Sequence, residues 1–150
     1  MKYILSLALG LCLIGSASAA GQFGNSGSPS VMVGAYADGL GGIFKYTVPI
    51  SIDGMSRSGL GLVAEGQLGG GISESDFNMS SMVGANLVFI TSSTMDFYGG
   101  LGFGTRLLPE SSIGIGGQIG INFVANNTRL FTEAGAHPGG ISYLGIGMRF

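Results

Sequence analysis

The amino-acid sequence predicts an all-β fold: a closed, eight-stranded, antiparallel up-and-down transmembrane β-barrel that follows a cleaved signal peptide. Composition supports this prediction, because the 150 residues include 30 Gly and only 9% charged residues, whereas soluble domains average about 7% Gly and about 25% charged residues. Periodicity supports it too, since apolar residues alternate with small or polar ones along most of the chain, as in β-strands. Helical bundles, doubly wound α/β folds and a disordered chain are therefore not expected.

The N-terminal region has the features of a secretory signal peptide. Lys2 supplies a positive charge, an apolar run covers residues 4–14, and small residues follow it. This order of segments is typical of a signal peptide, and the apolar run is too short for a transmembrane helix. We therefore assign residues 1–20 to the signal peptide, residues 21–29 to a flexible N-terminal leader and residues 30–150 to the barrel.

Cys12 is the single cysteine of the chain and lies inside the apolar run. A lipoprotein signal has a small residue directly before the lipidated cysteine, and here that residue is Leu11, so lipidation is not favoured. Removal of the signal peptide leaves a chain without cysteine, which excludes disulfide bonds as a source of stability.

Alternation with a period of two defines the candidate strands, because successive side chains of a strand point to opposite faces. Short segments rich in Gly, Asn, Asp and Ser separate the strands, so neighbouring strands should be antiparallel. Pro49 lacks an N–H group and predicts a bulge or an early end of the second strand. The predicted strands are Ser30–Asp38, Gly42–Ile52, Gly59–Gly69, Met79–Ile90, Met95–Leu107, Ser112–Val124, Thr128–Ala136 and Ile141–Phe150.

The charged residues of these strands share one face, which also carries most of the strand glycines, whereas the other face is mostly Val, Leu, Ile and Phe. A Lys or Arg facing lipid at mid-depth would cost about 2–4 kcal/mol. The interior of an eight-stranded barrel is just wide enough for side chains, so large inward residues need small neighbours. We therefore predict a lipid-facing apolar surface and a lumen charge network formed by Lys45, Glu65, Asp96, Arg106, Arg129, Glu133 and Arg149.

No residue pattern in the chain is typical of an active site, a metal site or a cofactor site. His137 is the only histidine, and because Pro138 follows it we expect it in a turn. Metal binding needs clustered His, Cys or carboxylate ligands, which the pattern does not offer. Six basic and eight acidic residues give a net charge of −2, so no basic surface for nucleic acid is expected. We predict no catalytic residue, no metal, no cofactor and no nucleic-acid partner.

The last residues of the chain resemble the C-terminal signal of bacterial outer-membrane barrels. The matching positions are Tyr143, Gly145, Met148 and Phe150, and the segment 98–104 is similar to Gly-aromatic strands of the same class. The mature chain as a whole resembles the small eight-stranded OmpA-like outer-membrane β-barrel family. This resemblance implies a bacterial outer-membrane location, contact with outer-membrane lipid, and recognition of the C-terminal strand by the barrel assembly machinery; we also expect a monomer.

The resemblance also implies an orientation, with both termini in the periplasm. Residues 38–42, 70–78, 107–112 and 137–140 then form the outer loops, of which the second is the longest. The lumen charges should form two networks, one near the periplasmic end and one from mid-height outward. The first comprises Asp96, Arg129 and Arg149, and the second comprises Lys45, Glu65, Arg106 and Glu133.

These features favour a non-enzymatic, structural outer-membrane protein with a polar, plugged lumen and a role in envelope integrity or surface contact. A lipid-modifying outer-membrane enzyme is one alternative, but His137 and Ser142 do not have the spacing of the deacylase barrels that the resemblance suggests. A narrow porin-like pore that conducts protons or ions is another alternative. A soluble exported β-sandwich that carries a ligand is the third.

Overall fold

Eight antiparallel strands form one closed sheet in the computed structural model, which describes residue 23 and residues 27–52, 55, 58–74 and 76–150. The strands are β1 (Ser28–Tyr36), β2 (Gly39–Ile50), β3 (Leu60–Ser73), β4 (Asp76–Ile90), β5 (Met95–Leu108), β6 (Ser112–Ala125), β7 (Thr128–His137) and β8 (Ile141–Arg149). Each strand pairs with its neighbours in chain order, and β8 pairs with β1 to close the ring. The predicted eight-stranded antiparallel barrel is confirmed. The predicted signal peptide, with Cys12, lies outside the described residues.

The polarity of the two sheet faces is the reverse of that in a soluble barrel, with polar side chains inside and apolar ones outside. The lumen buries charged and amide side chains, including Lys45, Glu65 and Glu133. Seven aliphatic residues on the outer face are 65–75% exposed: Val33, Ile72, Val83, Leu101, Ile113, Ile115 and Ile119. A continuous apolar outer surface of this extent is stable against lipid and not against water, so the barrel is of the transmembrane type. The described part of the chain contains no helix long and apolar enough to cross a membrane.

The turns at the end of the barrel opposite the chain termini are shorter than predicted. Residues 37 and 38 alone join β1 to β2, and both have a positive φ, of 52° and 63°. Only residues 74 and 75 join β3 to β4, so the prediction that residues 70–78 form the longest of the outer loops is wrong. The strands extend further than predicted, because a glycine is accommodated in a strand wherever a large lumen side chain fills the space beside it. The other two turns, at residues 109–111 and 138–140, are also short.

Pro49 lies inside β2 without a bulge. β2 pairs with β3 in continuous register as far as the pair of Ile50 and Leu62, and the strand ends there, one residue after Pro49. β1 pairs with β2 only as far as Thr47, so the N–H group that Pro49 lacks removes no hydrogen bond to β1. The predicted bulge at this position is therefore wrong, whereas the early end of the strand is observed.

Two lumen glycines of β3 make room for the ring of Tyr36. A Cβ atom on Gly69 would lie 2.7 Å from Cε2 of Tyr36, and a Cβ atom on Gly71 would lie 2.8 Å from Cδ1 of the same ring. Contacts this short are not tolerated, so the ring would have to move. The glycines of this face are therefore complementary in shape to the large side chain that crosses the lumen.

Replacing Gly69 with Ala is expected to destabilise the barrel by about 1–3 kcal/mol, because the added methyl group overpacks the Tyr36 ring. Gly66→Ala on the same strand is the matched control, since Gly66 lies on the outer face with nothing within 4 Å of an added Cβ atom. The control should be neutral or stabilising by about 0.5 kcal/mol, because Ala loses less conformational entropy than Gly. Urea unfolding of the two refolded variants checks this, and equal stabilities would contradict it.

Candidate functional site

A buried ion cluster occupies the middle of the lumen. Lys45 of β2 lies between Glu65 of β3 and Glu133 of β7: its Nζ atom is 3.4 Å from Oε1 of Glu65 and forms a second ion pair with Oε1 of Glu133. The three side chains are at most 2% exposed. Tyr98 donates a hydrogen bond of 2.6 Å to Oε2 of Glu133, and Tyr143 donates one of 2.8 Å to Oε1. Lys45 thus forms ion pairs with both carboxylates, and the two tyrosine hydroxyls donate hydrogen bonds to Glu133.

Side-chain amides extend this cluster across the lumen. Gln67 donates to Oε1 of Glu65 at 2.7 Å and also to the side-chain oxygen of Gln118. Gln118 donates to the same Glu65 oxygen at 2.5 Å and to Oδ1 of Asn86 at 2.8 Å. The Glu65 Oε1 atom therefore accepts hydrogen bonds from Lys45, Gln67 and Gln118, which compensates much of the cost of burying its charge.

His137 lies in the lumen at the end of β7, fully buried, and not in a turn as predicted. Its Nε2 atom is 2.6 Å from Oε1 of Gln67, and its Nδ1 atom contacts the hydroxyl of Ser80. The Gln67 amide nitrogen already donates to Glu65, so the Gln67 oxygen is an acceptor and Nε2 of His137 carries the hydrogen. In the neutral ring Nδ1 is then the acceptor for Ser80, whose hydroxyl lies 2.5 Å from that of Tyr36.

Sequence reasoning missed this position although a signal for it was present. His137 has the same parity along β7 as Glu133, four residues earlier, and therefore points to the same face. β7 ends at His137 itself, directly before Pro138, so the histidine is the last residue of the strand and not the first of the turn.

The Ser80 and His137 pair has the atoms of a nucleophile and a base but not the access of an active site. Ser80 and His137 are 0% exposed and Tyr36 is 1% exposed, so a substrate atom has no approach to the Ser80 hydroxyl. Gln67 and not a carboxylate contacts the other nitrogen of the imidazole ring. The arrangement satisfies the hydrogen-bonding groups of buried side chains. Within the described residues, no group of three or more His, Cys, Asp or Glu side chains is placed to hold a metal ion.

A second polar group lies near the end of the barrel that carries the termini. Asn122 donates to Oδ1 of Asp96 at 2.6 Å and accepts a 2.8 Å hydrogen bond from Nε of Arg149. The Arg149 guanidinium lies 4.0 Å from the centre of the Phe23 ring and 4.3 Å from that of Phe131. Asn122 thus joins the predicted partners Asp96 and Arg149, while two aromatic rings cover the cation.

Two arginines lie apart from the clusters in which we predicted them. Arg106 donates to Oδ1 of Asn78 at 2.8 Å near the opposite end of the barrel, and so the prediction that it joins the Lys45 network is wrong. Arg129 faces Arg149 in the β7–β8 register, is half-buried, and forms no salt bridge with the described residues.

The four residues of the predicted assembly signal lie at the end of the chain on both faces of the sheet. Tyr143 and Gly145 of β8 face the lumen, where a Cβ atom on Gly145 would lie 2.9 Å from Cγ of Met32. Met148 and Phe150 face outward and are 38% and 59% exposed. The lumen residues of this motif therefore have a packing role in the finished barrel.

Comparison with known proteins relates the chain to others by structure and not by sequence. No family model matches it, and no curated protein matches it. The Yersinia pestis outer membrane protein Ail in a phospholipid bilayer nanodisc superposes with a TM-score of 0.52 at 16% identity, over 83% of this chain and 100% of that chain. Crystalline Ail, the attachment invasion locus protein, in complex with the heparin analogue sucrose octasulfate gives 0.52 at 17% identity, over 83% and 97%.

A de novo designed transmembrane β-barrel superposes with a TM-score of 0.50 at 18% identity, over 83% of this chain and 94% of that chain. Identities below one fifth show a shared architecture, and function does not follow from a shared fold. The chain has the closed eight-stranded antiparallel fold of transmembrane β-barrels.

Proposed function

We propose that this protein is a non-enzymatic β-barrel of a bacterial outer membrane, with a structural role in envelope integrity or surface contact. The observation that carries the proposal is the pairing of an apolar outer surface with a lumen filled by the Lys45, Glu65 and Glu133 cluster. The outer surface requires lipid, and the Ser80 and His137 pair of the lumen is fully buried. The fold shared with Ail, an outer membrane protein, supports the location.

The filling of the lumen favours a plug over a pore. A small cavity beside Glu65 and Gln118 has a volume of about 10 Å³, which is room for about one water molecule. Phe23, Phe131 and Arg149 fill the lumen at the end that carries the termini. A path for hydrated ions would need these groups to leave their partners, and buried ions without partners are strongly destabilised.

The proposal includes the steps that bring the chain to the membrane. Residues 1–20 would direct export and be removed, and Tyr143, Gly145, Met148 and Phe150 would present the last strand to the barrel assembly machinery. Outer-membrane lipid is then the main partner of the mature chain, which we expect to be a monomer.

The charges at the turn end of this barrel do not favour binding of a sulfated ligand such as the heparin analogue in the Ail complex. The turn end of this barrel exposes Asp38, Glu74, Asp76 and Glu110, and Arg106 is the one basic side chain that the described residues place there. Negative charges repel a polysulfated ligand. We therefore propose that contact at this end involves neutral or cationic groups.

Expression with the native signal peptide tests the proposal. The protein should fractionate with the outer membrane, its N-terminus should begin directly after the predicted signal peptide, and unboiled samples should migrate differently from boiled ones on a denaturing gel. Reconstituted into a planar bilayer, it should show no conductance above the lipid baseline. Recovery as a soluble periplasmic protein would contradict the membrane location, and a steady conductance would replace the structural role with that of a pore.

A further inference from the structure

Three buried side-chain atoms have no hydrogen-bond partner among the described residues: Oε2 of Glu65, Nδ2 of Asn86 and one terminal nitrogen, Nη2, of Arg149. The first two belong to side chains that share Gln118 as a hydrogen-bond partner. As whole residues Glu65 is 5% and Asn86 1% exposed, and the Glu65 side chain alone is 2% exposed, so bulk water does not solvate them. Buried polar groups in native proteins are almost always paired, with protein atoms or with ordered water.

The surrounding hydrogen bonds determine which atom of the Glu65 and Asn86 side chains has no partner. Gln118 Nε2 donates to both Glu65 Oε1 and Asn86 Oδ1, at 2.5 and 2.8 Å. The oxygen of Asn86 is therefore the acceptor, and its amide nitrogen is left with hydrogens to donate. Glu65 Oε1 also accepts from Lys45 and Gln67, which leaves Oε2 as an acceptor without a donor. The unpartnered pair thus consists of one donor and one acceptor.

Both side chains line the same small cavity. Its volume, about 10 Å³, matches a single water molecule, and its wall also includes Gln67, Gln118 and Gly84. Gly84 is the β4 residue paired with Glu65 in the β3–β4 register. A Cβ atom there would lie 2.7 Å from the Cα atom of Gly102, so this position tolerates no side chain that would fill the space.

We propose that the barrel binds one water molecule in this cavity as a fixed part of its lumen. The water accepts a hydrogen bond from Asn86 Nδ2 and donates one to Glu65 Oε2. Water is the one common small species that satisfies a donor and an acceptor together. A monovalent cation would suit the carboxylate and the net negative charge of the Lys45, Glu65 and Glu133 cluster, but the amide hydrogens of Asn86 would repel it.

Nuclear magnetic resonance of the protein labelled with ¹⁵N-asparagine in phospholipid nanodiscs tests the proposal. The Asn86 side-chain amide should show a rotating-frame Overhauser cross-peak to a long-lived water. Asn122 is the matched internal control, because it is 0% exposed and its Nδ2 atom already donates to Asp96 at 2.6 Å. A peak at Asn86 and none at Asn122 supports one bound water. No peak at Asn86, or equal peaks at both residues, overturns it.

Crystals of the protein grown with rubidium chloride separate water from a cation. A density peak within about 2.7–3.2 Å of both unpartnered atoms, without anomalous signal, supports water. An anomalous rubidium peak at this position overturns the proposal in favour of a cation site. Direct contact between Glu65 and Asn86 with no peak between them overturns it as well.

Discussion

Lys45→Met is expected to lower the free energy of unfolding by about 3–5 kcal/mol, because it leaves the Glu65 and Glu133 carboxylates buried without their cation. Met has nearly the length of Lys, so packing changes little and the loss reports charge. Lys45 is 0% exposed and contacts both carboxylates, which makes this the most costly single charge removal in the cluster. Because the chain contains no Trp, far-ultraviolet circular dichroism during urea unfolding of the refolded protein provides the measurement.

A triple variant identifies the origin of the loss. Lys45→Met combined with Glu65→Gln and Glu133→Gln contains no charge in the cluster, and most of the lost stability should return, since neutral groups of similar shape remove the desolvation penalty. If the triple variant is as unstable as Lys45→Met, the loss comes from packing. An unchanged stability of Lys45→Met itself would show that the cluster is not buried as the structure places it.

Phe23→Ala is expected to lower the free energy of unfolding by about 3–5 kcal/mol, the range for a fully buried phenylalanine. The ring is 0% exposed and lies edge-on to Tyr98, with 5.0 Å between ring centres, and 4.0 Å from the Arg149 guanidinium. Removal of the ring leaves a cavity at the end of the lumen and eliminates one cation–π contact of Arg149. Thermal unfolding followed by loss of the folded gel band in unboiled samples measures the effect.

Phe23→Leu provides the graded control for this prediction. Leucine keeps most of the apolar volume but has no aromatic face, so it should lose mainly the cation–π contact, about 1–2 kcal/mol for a desolvated pair. The expected order of stability is wild type, then Phe23→Leu, then Phe23→Ala. A Phe23→Ala barrel as stable as the wild type would mean that the Phe23 ring does not pack in the lumen in the membrane.

The strand faces could be predicted because the two faces of a membrane barrel meet different surroundings, lipid outside and a narrow lumen inside, and each favours different residue types. Lipid selects residues such as Val33 and Ile115, and the narrow lumen selects glycines beside large polar groups such as Glu65. Strand ends could not be predicted equally well. Glycine fits both turns and strands, so the pattern does not distinguish the Gly39 to Gly42 stretch of β2 from a loop.

The partners of the lumen residues were beyond the reach of pattern alone. Parity shows that Arg106 and Glu133 face inward, but the distance between them depends on the register between strands that are not adjacent in sequence. Arg106 thus contacts Asn78, not the central cluster. Asn86, Gln67 and Gln118 were missed because uncharged amides do not stand out in a Gly-rich sequence, although they carry much of the hydrogen bonding.

Closure of the sheet by β1 and β8 makes the barrel a single unit of assembly. The two strands meet at Ser30 and Arg149, which are 119 residues apart in sequence. A ring that lacks one strand would present two rows of unpaired N–H and C=O groups to hydrocarbon, where no water can satisfy them. No subset of strands is therefore a stable intermediate in the bilayer. A substitution that prevents one strand from pairing is expected to destabilise the whole eight-stranded barrel.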